Sequence, residues 1–196
     1  MTGVAVDTGV EIVSKRLELL REMVPSAKTV AFLTPRDGWE NLFGKAAREA
    51  AGQLGLSLIG PPLDTPIGEA EYRRVFAAMA EQRPDALLVS DYNENSVHRR
   101  LIFEFARVHR LPAVYPLQHY AAVGGMVTYG PDDDDLDLRL AAIVDAILQG
   151  GKPGDIPFYQ PTRYQLFINL KSAHDIGLDI PSALLTAADK IIEPAP

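Results

Sequence analysis

Short apolar runs alternate along the chain with longer amphipathic stretches, and this pattern predicts a series of strands and helices. Short apolar runs that end in polar loops are typical of strands buried on both faces, and amphipathic stretches follow them. The strands are predicted at residues 28–33, 56–59, 86–89, 112–115, 126–129 and 164–170. The helices are predicted at residues 11–24, 42–54, 69–82, 96–109, 136–149 and 171–176, with one more within 180–192.

The order of these segments predicts the fold class. Strands and helices alternate from residue 28 to residue 115, and each helix is long enough for a right-handed crossover between parallel strands. This pattern indicates an α/β protein with a doubly wound parallel sheet in the flavodoxin-like order 2-1-3-4-5. The partly alternating segments 56–59 and 164–170 are predicted to be edge strands.

The loop after the third predicted strand is the first candidate for function. Residues 86–89 form an uninterrupted apolar run, and five residues with hydrogen-bonding groups follow at 90–94. In an open α/β sheet, ligands bind in the crevice at the carboxyl ends of the strands. We therefore expect this loop to line a binding site.

Composition and charge exclude several classes of function. The chain has 196 residues, of which 47% are hydrophobic, which suits one compact domain or slightly more. A net charge of −7 argues against a nucleic-acid partner, which requires clustered Lys and Arg. The absence of cysteine excludes disulfides and thiolate metal sites. The first residues do not resemble a signal peptide, and no apolar run has the ~20 residues needed to span a bilayer.

Sequence motifs give little support to catalysis. Residues 38–45 resemble a phosphate-binding loop only loosely, since Ala46 stands where Ser or Thr would hold magnesium. Neither a Gly-x-Gly-x-x-Gly motif nor a Gly-x-Ser-x-Gly elbow is present. Asp91 follows the third strand, as the acceptor of a phosphate-receiver domain does, but the acidic pair after strand one is missing. We expect no enzymatic activity, no metal and no cofactor.

Seven short segments of the chain match a known family when they are taken together and in order. They lie at residues 3–4, 15–20 (Lys-Arg-Leu-Glu-Leu-Leu), 111–115 (Leu-Pro-Ala-Val-Tyr), 124–132 (Gly-Gly-Met-Val-Thr-Tyr-Gly-Pro-Asp), 147–153 (Ile-Leu-Gln-Gly-Gly-Lys-Pro), 160–162 (Gln-Pro-Thr) and 168–173 (Ile-Asn-Leu-Lys-Ser-Ala). Together they resemble the ABC-transporter substrate-binding family with the type I periplasmic-binding fold. Tryptophan- and tyrosine-binding proteins are members of this family.

The resemblance implies how the chain divides. Residues 26–125 and 157–196 would form one α/β lobe of the type I fold, and most of the other lobe has no counterpart here. Residues 1–25 and 126–156 would be crossover segments with helices of that other lobe. The helices at 11–24 and 136–149 would then have uncovered apolar faces, which we expect either a homodimer or a missing segment to cover.

The resemblance also implies which residues meet a ligand. They follow the first, third and fourth strands and lie at the crossover: Arg36, Asp37, Trp39, Ser90, Asp91, Tyr92, Asn93, Gln118, His119, Tyr120 and Tyr129.

Each of these side chains has a chemical role to offer and an alternative. The aromatic rings would form apolar walls, Arg36 would pair with a carboxylate, and Asp91 or Asp37 would hold an ammonium group. Helix capping explains Asp37 and Asn93 equally well. Trp39 has the alternative of packing on the sheet edge, and Tyr129 that of filling a hinge between lobes.

The function implied is that of a solute-binding component of an ABC transport system. It would bind a small amphipathic molecule, an amino acid or an aromatic carboxylate, and would have an ABC permease as its partner. The resemblance implies a periplasmic location, whereas a complete chain without a signal peptide would be cytoplasmic. The alternatives are a cytoplasmic ligand-sensing or regulatory domain and a small α/β hydrolase.

Overall fold

One seven-stranded sheet organises the part of the chain that the computed structural model describes, residues 1–5 and 9–193. The strand order is β2-β1-β3-β4-β5-β6-β7. All neighbouring strands are parallel except β5 and β6, which are antiparallel. The strands are β1 (Thr29–Leu33), β2 (Ser57–Ile59), β3 (Ala86–Val89), β4 (Ala113–Tyr115), β5 (Val127–Pro131), β6 (Tyr164–Asn169) and β7 (Lys190–Ile192).

Helices cover both faces of this sheet. In β1, Val30 and Phe32 point to one apolar core and Ala31 and Leu33 to the other, so the strand is buried on both faces. The first core includes α1, α3, α9 and α10, and the second includes α4 and α6. The helices are α1 (Glu11–Met23), α2 (Arg36–Glu40), α3 (Leu42–Gln53), α4 (Glu69–Glu81), α5 (Asn93–Val97), α6 (Arg99–Val108), α7 (His119–Ala122), α8 (Asp133–Leu148), α9 (Leu170–Asp175) and α10 (Ser182–Ala187).

The structure confirms the predicted doubly wound sheet and its order 2-1-3-4-5. The prediction that residues 164–170 form an edge strand is wrong, because β6 pairs with β5 on one side and β7 on the other. The tail contains the predicted extra helix, α10, and also the short strand β7, which the sequence pattern did not predict. At three residues, β7 is too short to show an alternation.

Helix α1 packs on the lobe itself, contrary to the expectation that its apolar face is uncovered. Leu17 and Leu20 are fully buried in the same core as β1 and β3. Strand β5 is the strand predicted at 126–129 and belongs to the sheet, so the expected crossover segment 126–156 begins inside the sheet. Helix α1 and strand β5 are therefore part of the same α/β unit.

Helix α8 does have an uncovered apolar face. Leu136 is its one buried side chain. Leu140, Val144, Ile147 and Leu148 have the spacing of a single helical stripe and are all exposed to solvent. Within residues 1–5 and 9–193, every helix is too short or too polar to cross a lipid bilayer.

Candidate functional site

A cavity of about 380 Å³ opens at the carboxyl ends of β1 and β3. From β1 the chain crosses to β2 on one side, whereas β3 lies on the other, so this is the switch point where α/β sheets bind ligands. Its apolar wall consists of Ile12, Val13, Phe32, Phe43, Leu88 and Val89. The other lining residues are Arg16, Thr34, Gly38, Asn41, Ser90, Asp91, Tyr92 and Asn93.

Tyr92 joins the two sides of the cavity mouth. Its hydroxyl donates to Asp37 Oδ2 at 3.0 Å and accepts from Asn41 Nδ2 at 3.2 Å. Asn41 Oδ1 in turn caps α3 by accepting from the backbone N–H groups of Phe43 and Gly44. The cap of α3 is therefore Asn41, whereas Asp37 lies within the short helix α2. This network fastens the loop after β3 to α2 and α3.

Helix α2 approaches β1 and Tyr92 closely at Gly38. A Cβ atom added at Gly38 would collide with Thr34 Oγ1 and would lie 2.7 Å from the Tyr92 ring. Thr34 is fully buried, and its hydroxyl has no hydrogen-bond partner in the described part of the chain. A glycine is therefore required for this packing, and the wall contains one unsatisfied hydroxyl.

Arg16 brings a buried positive charge to the cavity wall. The side chain comes from α1 and is only 3% exposed. Its Nε donates to the Tyr129 carbonyl at 2.9 Å and its Nη2 to the Pro116 carbonyl at 3.2 Å. Burial lowers the pKa of Arg16 to about 10, so the guanidinium remains charged at neutral pH.

Asp91 supplies the negative charge of the site. Solvent reaches this residue at the cavity mouth, but the surrounding protein still desolvates its carboxyl and raises its pKa. The positive charges of Arg16 and His119 oppose that rise. Asp133, in the first turn of α8, also has its pKa raised by burial, and His119 again opposes it. His119, which follows β4, thus influences the carboxyls of both Asp91, after β3, and Asp133, at the start of α8.

Ser90 and Asn93 complete the polar lining after β3. Asn95, which is fully buried, donates to the Ser90 carbonyl at 2.9 Å and to Ser90 Oγ at 3.1 Å. The Tyr72 hydroxyl in turn donates a 2.7 Å hydrogen bond to Asn95 Oδ1. Asn93 is exposed, and Tyr92 rather than Asn93 occupies the cap position of α5. Ser90 is therefore oriented by a buried network, whereas Asn93 is free to face the cavity.

The structure does not bring Arg36 or Trp39 into the cavity lining. The Arg36 guanidinium is exposed and engaged by both oxygens of Asp64 and by Glu40, so it is not available to a carboxylate. Trp39 packs on Phe32, with ring centroids 5.9 Å apart. It lies behind the apolar wall on the side of the edge strand β2.

The predicted residues after β4 and in β5 are also outside the lining. Gln118 is buried and donates to the Pro131 carbonyl at 2.6 Å. Tyr120 is buried in the second core, where its hydroxyl bonds to Ser96 at 2.7 Å. Tyr129 stacks on the Tyr164 ring and contributes only its carbonyl to the site, through Arg16. These three side chains have structural partners, and His119 lies close enough to Asp91 and Asp133 to influence the pKa of each carboxyl.

Sequence reasoning missed Arg16, Thr34 and Asn41 as site residues. A signal for Arg16 was present, because a charged residue interrupts the apolar stripe of the predicted helix at 11–24. A charge at such a position needs a polar partner or a cavity. No comparable local signal distinguishes Thr34 or Asn41, whose roles depend on how α2 packs.

A larger groove of about 540 Å³ lies at the opposite, amino ends of β4 and β5. The charged side chains around it, such as Arg107 and Asp175, are exposed. Its buried polar residue, Asn169, is satisfied by the Ala121 carbonyl and the Ser172 N–H. The smaller cavity is the better candidate site, since it alone of the two holds a buried charge and an unsatisfied hydroxyl.

Comparison with solved structures finds a similar fold in three bacterial proteins. A conserved domain protein from Vibrio cholerae is 21% identical with a TM-score of 0.80, covering 97% of this chain and 62% of that one. An ABC domain from Streptococcus pneumoniae in complex with L-Trp is 22% identical with a TM-score of 0.75, covering 92% and 62%. A substrate-binding protein with adhesive properties from Clostridium difficile is 17% identical with a TM-score of 0.64, covering 98% and 63%.

The chain therefore spans less than two thirds of the length of these structures. None of the curated proteins matches it significantly. The family described as ABC transporter substrate binding protein matches over residues 1–192, nearly the whole chain. The chain thus belongs to the family of ABC transporter substrate-binding proteins.

Proposed function

We propose that this chain is the ligand-binding lobe of a solute-binding component of an ABC transport system. It binds a small amphipathic molecule, an amino acid or an aromatic carboxylate, and hands it to an ABC permease without chemical change. The observation that carries this proposal is the cavity at the switch point of the sheet. There an apolar wall and two opposite charges, Arg16 and Asp91, face the same space.

The family supports the non-catalytic character and the partner. Members are substrate-binding proteins of ABC transporters, and one structural neighbour is in complex with L-Trp. The same membership supports a periplasmic location. The cavity holds groups that orient a ligand by hydrogen bonds and charge, which is what capture and release require.

A second candidate function is ligand sensing within a regulator. A LacI-type transcription regulator from Bifidobacterium animalis has the same type of fold, with 15% identity and a TM-score of 0.57. A sensing domain would use the same cavity and would pass the signal to a DNA-binding partner. Two observations distinguish these functions. A transport component binds a permease, whereas a regulator changes transcription when the ligand is added.

A thermal-shift screen tests the binding function. Amino acids, aromatic acids and short amides are added separately, and a ligand at about 100 times its Kd should stabilise the native state by about 2.7 kcal/mol. For a chain of this length that corresponds to roughly 5–10 °C in Tm. Trp39 fluorescence provides a second readout, because Trp39 packs on Phe32 of the cavity wall.

Two variants locate the binding site. Asp91→Ala removes a charge of the cavity and should abolish or strongly reduce the shift, whereas Asp175→Ala changes only the larger groove and should preserve it. The opposite result would place binding in the larger groove. No shift across the whole panel, with the wild-type protein folded, would refute the proposed ligand class.

A further inference from the structure

The cleft contains a buried cation that makes no direct ion pair with the described residues. Arg16 is nearly fully buried, and none of the ion pairs in residues 1–5 and 9–193 includes it. Two backbone carbonyls orient its Nε and Nη2 but neutralise no charge, and its Nη1 has no hydrogen-bond partner in that part of the chain. Buried charges are normally paired, so this guanidinium leaves an interaction unmade.

We propose that Arg16 is the specificity-determining residue of the cleft, selecting ligands that carry a carboxylate. This inference rests on the proposed binding function and identifies the residue that recognises the carboxylate of the ligand. The two carbonyl contacts preorient the guanidinium, and the unused N–H donors of Nη1 are left for an anionic oxygen. Arg16 thus takes the role that the sequence pattern suggested for Arg36.

Asp91 lines the same cavity and restricts further which ligands the cavity accepts. Its carboxylate makes no hydrogen bond or ion pair with the described residues, although Arg16 is its strongest favourable charge partner. The cleft therefore presents one positive and one negative group that are not joined in a direct ion pair. A ligand that places its carboxylate against Arg16 and a cationic group near Asp91 satisfies both, whereas an uncharged amide leaves Arg16 unpaired.

A purely structural role would have a different consequence. The bonds to the Tyr129 and Pro116 carbonyls also fasten α1 to the ends of β5 and β4. If that were the only role, replacing Arg16 would lower stability but would not change the ratio of affinities for an acid and its amide. The ratio is therefore the quantity to measure.

The experiment is calorimetric titration of matched acid–amide pairs. The probes are L-tryptophan and L-tryptophanamide, L-leucine and L-leucinamide, and indole-3-propionate and indole-3-propionamide. Wild-type protein should bind the acid of at least one pair about 10–100-fold more tightly than its amide, as expected for a hydrogen bond to a charged group. Arg16→Lys should reduce this ratio and Arg16→Gln should bring it near one.

Two further variants serve as controls. Arg21→Gln, on the same helix, also loses a charge and a bond to a backbone carbonyl, that of Ala27, but lies outside the cavity and should keep the wild-type ratio. Asp91→Asn should tighten binding of indole-3-propionate several-fold by removing a neighbouring negative charge. The same substitution should weaken binding of L-tryptophan, L-leucine and their amides, which carry an amino group. If Arg16→Gln does not unfold cooperatively, Arg16→Lys and the Asp91→Asn titrations decide the matter.

Two results overturn the inference. Equal affinity of the wild-type protein for acids and amides refutes selection by Arg16 while leaving the binding function intact. So does a folded Arg16→Gln or Arg16→Lys variant that retains the full ratio. If no probe binds the wild-type protein at millimolar concentration, the proposed ligand class fails and the inference fails with it.

Discussion

The glycine at position 38 shows how one residue shapes the cavity. Its hydrogen atoms allow α2 to pack against both Thr34 and Tyr92, where any Cβ would collide. The consequence extends beyond packing, because Tyr92 carries the hydrogen bonds to Asp37 and Asn41 that join the two sides of the mouth. The shape of the cavity mouth therefore depends on a residue that offers no functional group.

We predict that Gly38→Ala lowers the free energy of unfolding by about 1–3 kcal/mol, the usual cost of an overpacked site. It should also weaken ligand binding by displacing Tyr92. Urea unfolding and calorimetry measure the two effects. Gly52→Ala is the matched control, since a Cβ at Gly52 in α3 meets nothing within 4 Å and should leave stability unchanged or raised. Equal effects of the two substitutions would contradict this account of Gly38.

Asp85 stabilises the start of the sheet by a different mechanism. Its Oδ2 accepts from the backbone N–H groups of Lys28 and Thr29 at 2.8 and 2.9 Å, and from the Thr29 hydroxyl at 3.0 Å. The two backbone N–H groups hold the pKa of Asp85 below its ordinary value. A lowered carboxyl pKa means that the folded state favours the ionised form.

We predict that Asp85→Asn destabilises the protein by no more than about 1 kcal/mol at pH 7, because solvent screens this exposed site. The stabilisation is fully present above the pKa of the unfolded chain, near pH 4, and is lost as pH falls through the lower folded value. The difference in unfolding free energy between wild type and variant should therefore shrink from pH 7 to pH 3. A difference that stays constant over this range would show that charge is not involved.

At the scale of elements, α1 and α8 contrast most clearly. Both have the apolar positions of an amphipathic or buried helix, and the sequence led to the same expectation for both. The structure separates them, since α1 lies in the core and α8 leaves its apolar stripe in solvent. The hydrophobic period of a helix shows that one of its faces is apolar. It does not show which surface that face packs on, because the sheet is formed by strands distant in sequence.

We predict that Leu17→Ala in α1 costs about 2–5 kcal/mol of stability, as for other fully buried leucines. Leu148→Ala in α8 is the matched substitution, and it should change stability by less than about 0.5 kcal/mol because that side chain is 81% exposed. Chemical unfolding of the two variants against wild type, at a protein concentration too low for self-association, measures both values. A large loss for Leu148→Ala would mean that the face of α8 is covered in solution.

At the scale of the whole molecule, the α8 stripe is an apolar surface of four exposed side chains. We propose that a second copy of the chain covers it, through α8 alone, because the apolar face of α1 is already buried; cover by another protein segment is the alternative. Contiguous exposed apolar side chains of this kind mark association sites in soluble proteins.

We predict concentration-dependent self-association of the wild-type chain, measured by light scattering after size-exclusion chromatography. Val144→Glu should weaken it, since a charge would be buried at the contact. Val97→Glu is the control, because Val97 is also exposed but lies on α5, away from the stripe. A wild-type chain that stays monomeric at high concentration would refute the homodimer.

The candidate site was predictable only in part. Ser90, Asp91, Tyr92 and Asn93 line the cavity as expected, because a buried parallel strand delivers the following loop to the carboxyl edge of the sheet. The side chains of Arg36, Trp39 and Gln118 lie outside this lining, since each has a structural partner that no local pattern reveals: Asp64, Phe32 and the Pro131 carbonyl.

The sequence by itself determined the alternation of strands and helices, the doubly wound order and the edge of the sheet at which to look for a ligand. These features follow from local hydrophobic periods and from chain connectivity, which are written along the chain. Only the tertiary structure decided that Arg16 of α1 faces the cavity, that Gly38 meets Tyr92, and that α8 is left uncovered. Those contacts join residues far apart in sequence, so they depend on the three-dimensional packing of elements whose own patterns are alike.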